Sequence, residues 1–181
     1  MTARRRTGGR RARAPSPFRV MSGGQTGVDR GALDAALDLG VHCGGWCPAA
    51  RRAEDGVIPA RYPVTELAGA GYLERTRKNV ADSDGTLVIT FGAPAGGTAS
   101  TIRFCKRLGR PHLTIDAAVV PPDEALRLSV DFLENRSIRR LNVAGPRASA
   151  GPRGHAYAYA LVRALCEHAT GRGRSPAGTV D

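Results

Sequence analysis

Three short segments of this 181-residue chain join glycine to hydrogen-bonding side chains: S-G-G-Q-T-G (Ser22–Gly27), G-A-P-A-G-G-T (Gly92–Thr98) and A-G-P-R (Ala144–Arg147). Each ends an apolar run, and the first two lead directly into a helical pattern. Glycine lets a backbone approach a ligand closely, and a helix N-terminus offers unpaired N–H groups and the positive end of its dipole. Gly23, Gly24, Gly27, Gly96, Gly97 and Gly145 are therefore candidate backbone contacts. Ser22, Gln25, Thr26 and Thr98 add side-chain hydrogen bonds, and Arg147 adds a planar fork suited to phosphate or carboxylate. The chemistry implied is capture of an anion, most simply a phosphate. A single glycine turn is commonly explained by tight packing; three at one sheet edge make a constellation. It is not a Walker loop, because no G-K-[ST] follows. It is also a poor dinucleotide fingerprint: Ser22 stands where the first glycine belongs, and the second strand ends in Trp46 rather than an acid.

A second constellation is R-R-A-E-D-G (Arg51–Gly56). Such a run reads either as a solvated, self-paired loop or, since it follows the second strand beside the first glycine turn, as a contributor to the same cleft through Arg51, Arg52, Glu54 and Asp55. Asp29 suits the dipole of the first helix. Arg75 and Thr76 sit on a helix whose spacing places them at the surface. Asp82 and Asp84, in D-S-D-G, read as cap and turn residues, or as carboxylates that grip an amino-pyrimidine edge such as pterins and guanines present. Trp46 reads as core. His42, His112, His155 and His168 show no ligand spacing, and no dedicated metal site is expected. Cys43 and Cys47 form a C-x-x-x-C without a second pair, so two strand-end thiols are expected rather than zinc.

The elements that must position these residues alternate. Phe18–Met21 and the segment from Val41 to Trp46 read as strands around a helix over 28–39. A polar Pro/Gly-rich stretch follows and is too long for a routine connection. Further helices are expected over 72–81, 99–108, 122–135 and 157–168, and further strands over 86–91, 112–116 and up to Gly145. The continuous apolar run T-L-V-I-T-F suits a parallel strand covered on both faces. The alternation implies an α/β fold: a three-layer, doubly wound, Rossmann-like and mainly parallel sheet of at least five strands with helices on both faces. Ligands in such folds bind outside the carboxyl ends of the strands.

The formal charge is +11 at pH 7, but Arg4, Arg5, Arg6, Arg10, Arg11 and Arg13 crowd a stretch with no apolar periodicity. Residues 1–17 read as a disordered basic tail, 18–170 as one ligand-binding domain, and 171–181 as a second short tail. The basic tail supports only non-specific, salt-sensitive contact with nucleic acid. It lacks the apolar region of a secretory signal, no segment approaches a membrane span, and the cysteines are too few and scattered for a secreted framework. The cytoplasm is the expected location.

In order along the chain, S-G-G-Q-T-G-V-D-R-G-A-L-D-A-A, G-W-C-P-x-x-R-R-A-E-D-G, Y-P-V-T-E, R-T-R-K-N-V-x-D-S-D-G-T-L-V-I, G-G-T and L-N-V-A-G-P-R-x-S resemble the molybdenum cofactor carrier proteins. These form the circularly permuted YpsA-like branch of the Rossmann-like SLOG superfamily. The resemblance spans roughly residues 20–169. It implies a homo-oligomer, dimer or tetramer, that binds the molybdenum cofactor, protects it and hands it to apo-molybdoenzymes. The superfamily also holds the LOG enzymes, which cleave nucleotide N-glycosidic bonds and whose signature resembles P-G-G-x-G-T-x-x-E. Here Thr101 occupies the place of the catalytic Glu. The chain also departs from the carrier pattern at Ala49, Ala50 and Ala148, where smaller side chains remove potential ligand contacts.

Three readings follow. A carrier would seat the ligand's phosphate on Gly23–Gly27 or on Gly96–Thr98, and its pterin edge on Asp82 or Asp84 or on the Glu54–Asp55 loop. A nucleotide N-glycosidase or phosphoribohydrolase would need an acid or base near the scissile bond, with Glu54 or Asp55 the candidates. A nucleotide-sensing module would use the tails for a partner.

Overall fold

The structure, a computed structural model, describes residues 17–172. The two expected tails lie almost entirely outside that range. In chain order the elements are β1 (Arg19–Met21), α1 (Val28–Asp38), β2 (His42–Cys47), a single 3-10 turn (Ala49–Arg51), β3 (Arg52–Ala53), β4 (Gly56–Val57), β5 (Val64–Glu66), α2 (Tyr72–Asp82), β6 (Gly85–Thr90), α3 (Gly96–Arg107), β7 (His112–Asp116), α4 (Pro122–Asn135), β8 (Arg140–Ala144) and α5 (Gly154–Ala169).

Six strands form one sheet in the order β5-β2-β1-β8-β6-β7, and every pairing in it is parallel. All positions of β6 are buried, as a strand sandwiched between helix layers requires. Helices α1, α4 and α5 pack together on one face, and α2 and α3 on the other. Val20, Leu87, Ile89, Leu141 and Val143 of the sheet meet Val28, Ala32, Ala35, Leu161, Val162 and Leu165 of α1 and α5 in the main core. Helices α1 and α5 pack closely because Gly31 has no side chain: a Cβ there would lie 2.3 Å from the carbonyl oxygen of His155.

The three-layer, doubly wound expectation is met, with two refinements. The stretch after β2, read as an irregular loop, contains the 3-10 turn, the antiparallel hairpin β3–β4 and the edge strand β5. Ile58, Tyr62 and Val64 from this stretch pack on Leu33 and Cys47 as a second small core. Alternation of apolar and polar residues is invisible in strands of two or three residues, so periodicity could not find them. The other refinement is that α3 starts at Gly96, so Gly96, Gly97 and Thr98 are its first turn rather than a loop before it.

Candidate functional site

Beyond the carboxyl ends of β1, β6 and β8 lies a cleft of about 670 Å³. One wall is the start of α2, with Tyr72, Leu73, Arg75 and Thr76. The opposite wall is Phe91 to Pro94 and the first turns of α3, and the floor is Ala144 to Arg147. Of the residues expected to bind ligand, Gln25, Gly96, Gly97, Thr98, Gly145 and Arg147 line it. Ser22, Gly23, Gly24, Thr26, Gly27, Arg51, Arg52, Glu54, Asp55, Asp82 and Asp84 do not.

The first glycine turn is filled by the protein itself. Gly27 has φ +76°, and a Cβ on it would lie 2.5 Å from the carbonyl oxygen of Pro146. That same oxygen accepts the N–H of Val28, at 3.2 Å, in the first turn of α1. Gly24, φ +75°, packs under Ile58 and Val64, and Gly23 lies directly beneath the guanidinium of Arg75. The side chains are also engaged. The Ser22 hydroxyl donates to the carbonyl of Val143 at 2.8 Å. The Thr26 hydroxyl donates to Glu54 and accepts the N–H of Ala148. Gln25 Oε1 accepts the N–H groups of Thr26 and Glu54. These glycines admit neighbouring chain segments.

The second turn is open. No side chain caps α3 among the described residues, and a Cβ on Gly96 or Gly97 would meet nothing within 4 Å. The first N–H groups of this helix face the cleft with the dipole behind them, which is the geometry that receives an anion. Arg147 and Arg103 stand around the same space, and Arg103 donates to Ser100 Oγ at 2.8 Å.

The hairpin β3–β4 carries Glu54 and Asp55 at its tip, and both act as clasps. Asp55 takes a two-pronged bond from Arg30, at 2.6 and 2.8 Å. Glu54 accepts from Thr26 and from the hydroxyl and N–H of Ser149, with Arg147 Nε at 3.5 Å. It thereby ties the hairpin to the loops after β1 and β8. Hydrogen bonds from Ser149 and Thr26 hold its carboxyl below the ordinary range, and the bonds from Arg30 do the same for Asp55.

Arg51, Asp82 and Asp84 also serve the fold. Arg51 donates to the carbonyls of Ile58, Val64, Pro59 and Tyr62, stapling the chain between β4 and β5. Arg52 is exposed on β3. Asp82 closes the far end of α2, accepting the Trp46 indole N–H at 2.8 Å and pairing with Lys78. Asp84 accepts the N–H groups of Arg139 and Arg140 and pairs with the Arg140 guanidinium at the amino end of β8. It therefore sits at the sheet edge opposite the cleft. Cys43 is half-buried and Cys47 buried, both free thiols. Burial pushes the Cys43 thiol up to about 11, so it is no ready thiolate.

Residues that sequence spacing set aside complete the cleft. Arg75, expected at the surface, has a side chain only 13% exposed and pairs with Asp29 at 3.4 Å. Asp29 is buried, and burial pushes its carboxyl above the ordinary range despite the opposing effect of Arg75. The available signal was the stripe Thr76, Asn79 and Val80, which faces inward at i, i+3 and i+4 and carries Arg75 to its margin. The charged residues of the lining are three arginines, Arg75, Arg103 and Arg147, against one carboxylate, Asp29. Thr101 is buried, and its hydroxyl turns back to the carbonyl of Gly97 at 3.1 Å. Among the described residues no group of three or more His, Cys, Asp or Glu comes together to hold a metal, and no helix is long and apolar enough to cross a membrane.

The model of the family described as "Circularly permutated YpsA SLOG family" matches residues 20–166. A crystal structure from Syntrophus aciditrophicus SB is 39% identical, with a TM-score of 0.80, over 83% of this chain and 96% of that one; the name of that protein proposes a molybdenum carrier. No curated protein sequence matches the chain.

Proposed function

The chain belongs to the Circularly permutated YpsA SLOG family, and from that premise we propose that it is a carrier of the molybdenum cofactor, holding a phosphorylated pterin for protection and delivery to apo-molybdoenzymes. The observation that carries this reading is the uncapped, unobstructed start of α3, Gly96-Gly97-Thr98, facing a cleft with three arginines. The cleft's volume of about 670 Å³ falls within the range of small-ligand sites.

In this reading the phosphate sits on the N–H groups of Gly96, Gly97 and Thr98, with Arg147 or Arg103 closing over it. The flat ring lies between Tyr72 and Leu73 on one side and Phe91 to Pro94 on the other. Binding must be reversible, and no general acid is required. The chain works in the cytoplasm as a homo-oligomer, and its recipients are molybdoenzymes.

A nucleotide N-glycosidase or a nucleotide-sensing module is the alternative. The geometry disfavours the hydrolase: Glu54 is committed as an ionised clasp away from the cleft, and Thr101 stands where the LOG signature has its acid. The test is transfer. The purified protein is loaded with molybdenum cofactor, separated from free ligand, and mixed with a cofactor-free molybdoenzyme. Recovery of that enzyme's activity supports a carrier. Release of a free base from nucleotide monophosphates, with no transfer, supports the hydrolase.

A further inference from the structure

Three arginines in this structure show what a guanidinium does when the fold needs it, and a fourth does not fit the pattern. Arg51 gives its donors to four backbone carbonyls. Arg30 bonds Asp55 with both terminal nitrogens and Gly24 O with Nε. Arg140 bonds Asp84 through Nε and Nη2. Arg75 is as buried as Arg30, their side chains being 13% and 11% exposed. Yet among the described residues its one side-chain hydrogen bond is the long 3.4 Å contact with Asp29, and its buried Nε has no partner there. Charge-assisted guanidinium–carboxylate bonds are ordinarily about 2.7–2.9 Å long and frequently two-pronged. Arg75 instead leans on Gly23, where the missing side chain leaves it room, and turns to the cleft.

We infer that Arg75 forms a second oxoanion seat in the cleft, anchored by Asp29 and separate from the α3 turn. The two stand on different walls of the cleft: Arg75 is on α2 and over Gly23 at the end of β1, and the open turn is on α3. The ligand that fits therefore carries two anionic groups on a body long enough to reach from α3 to the end of β1, one of them an oxoanion at Arg75. This deepens the carrier reading and rests on it for the identity of the ligand, but not for the existence of the seat. Both a phosphate and an oxometallate have the chemistry required.

The experiment is calorimetric titration of the full chain with inorganic phosphate and, separately, with molybdate. The variants are Arg75→Met, Arg75→Lys and Gly97→Val. Two equivalents of oxoanion are expected to bind the wild type. Arg75→Met should lose one, and Gly97→Val should keep the one that Arg75 holds. Arg75→Lys retains the charge over Gly23 but lacks the fork. It should melt close to the wild type and weaken one equivalent about tenfold or more, the loss expected for charge-assisted bonds. If Arg75→Met does not fold, the lysine variant decides. A preference of that equivalent for molybdate over phosphate identifies the oxometallate as its occupant, and the reverse identifies a phosphate. One equivalent in the wild type, or unchanged binding in Arg75→Lys, overturns the seat while leaving the α3 turn and the carrier reading untouched; no binding in the wild type overturns the seat and the α3 turn together. Two intact seats with no uptake of the cofactor would reject the carrier reading and leave the seat standing.

Discussion

Placing a side chain on each of two glycines separates a turn that admits protein from a turn that admits ligand. Gly27 has φ 76° and ψ −129°, a region that residues other than glycine occupy at about 1–3 kcal/mol. The new Cβ would also stand 2.5 Å from the carbonyl oxygen of Pro146 and 2.8 Å from the N of Ala148, and such overpacking costs a further 1–3 kcal/mol or so. Gly27→Ala is thus expected to lose about 2–6 kcal/mol, a large part of the stability of an ordinary domain. Gly97 is the opposite case. Its φ is not positive, it lies in the first turn of α3, and a Cβ meets nothing within 4 Å. Even Gly97→Val should stay within about 0.5 kcal/mol of the wild type, because glycine and valine differ little in a helix. The isopropyl group would stand where an anion approaches the helix N–H groups, so phosphate affinity should fall at least about tenfold. Urea unfolding gives the stabilities, and phosphate titration of the folded variants gives the affinities. The reasoning is refuted if Gly97→Val unfolds as readily as Gly27→Ala, or if it binds phosphate as the wild type does.

Three further outcomes are expected. Arg51→Met, which frees the carbonyls of Ile58, Val64, Pro59 and Tyr62, should cost about 2–3 kcal/mol, reduced from the full bond count because water replaces part of it. Its phosphate affinity should be unchanged, as titration of the folded variant would show. The carboxyl of Glu54 is held low in the folded chain by Ser149 and Thr26, so its contribution to stability is complete above the unfolded carboxylate range and is lost as pH falls through the lower folded value. Glu54→Gln should therefore be modestly less stable at pH 7 and show a shallower loss of stability on acidification below about pH 4.5, read from urea midpoints at several pH values. Gly31→Ala, whose Cβ would lie 2.3 Å from the His155 carbonyl oxygen, should wedge α1 from α5 and cost about 1–3 kcal/mol, visible as a lower Tm.

The layered fold was legible because its signals are long: the apolar run of β6 and the helical stripes of α1, α4 and α5 repeat often enough to declare a period. The hairpin β3–β4 and the edge strand β5 were not, since each strand has too few residues to show one. In the site, glycine marked all three strand-end turns, but glycine admits a ligand and a neighbouring backbone equally well. Which of the two it admits depends on residues far away in sequence: Pro146 over Gly27 and Arg75 over Gly23, against empty space at Gly96 and Gly97. The charged loop residues misled for the same reason. Glu54 and Asp55 face Ser149 and Arg30 across the hairpin tip, and Asp84 faces Arg140 at the far edge of the sheet. Arg75 was hidden by a helical pattern whose buried stripe lies one residue away.

The central claim is that the α3 turn and its arginine-lined cleft hold a phosphorylated pterin carrying molybdenum. It is tested most directly by purifying the wild type and Gly97→Val from cells that make the cofactor, denaturing both, and measuring the released pterin phosphate and molybdenum by mass spectrometry and metal analysis. The account predicts near-stoichiometric pterin phosphate and molybdenum from the wild type and little of either from the folded variant. A nucleotide without molybdenum, or equal pterin from both proteins, would contradict it.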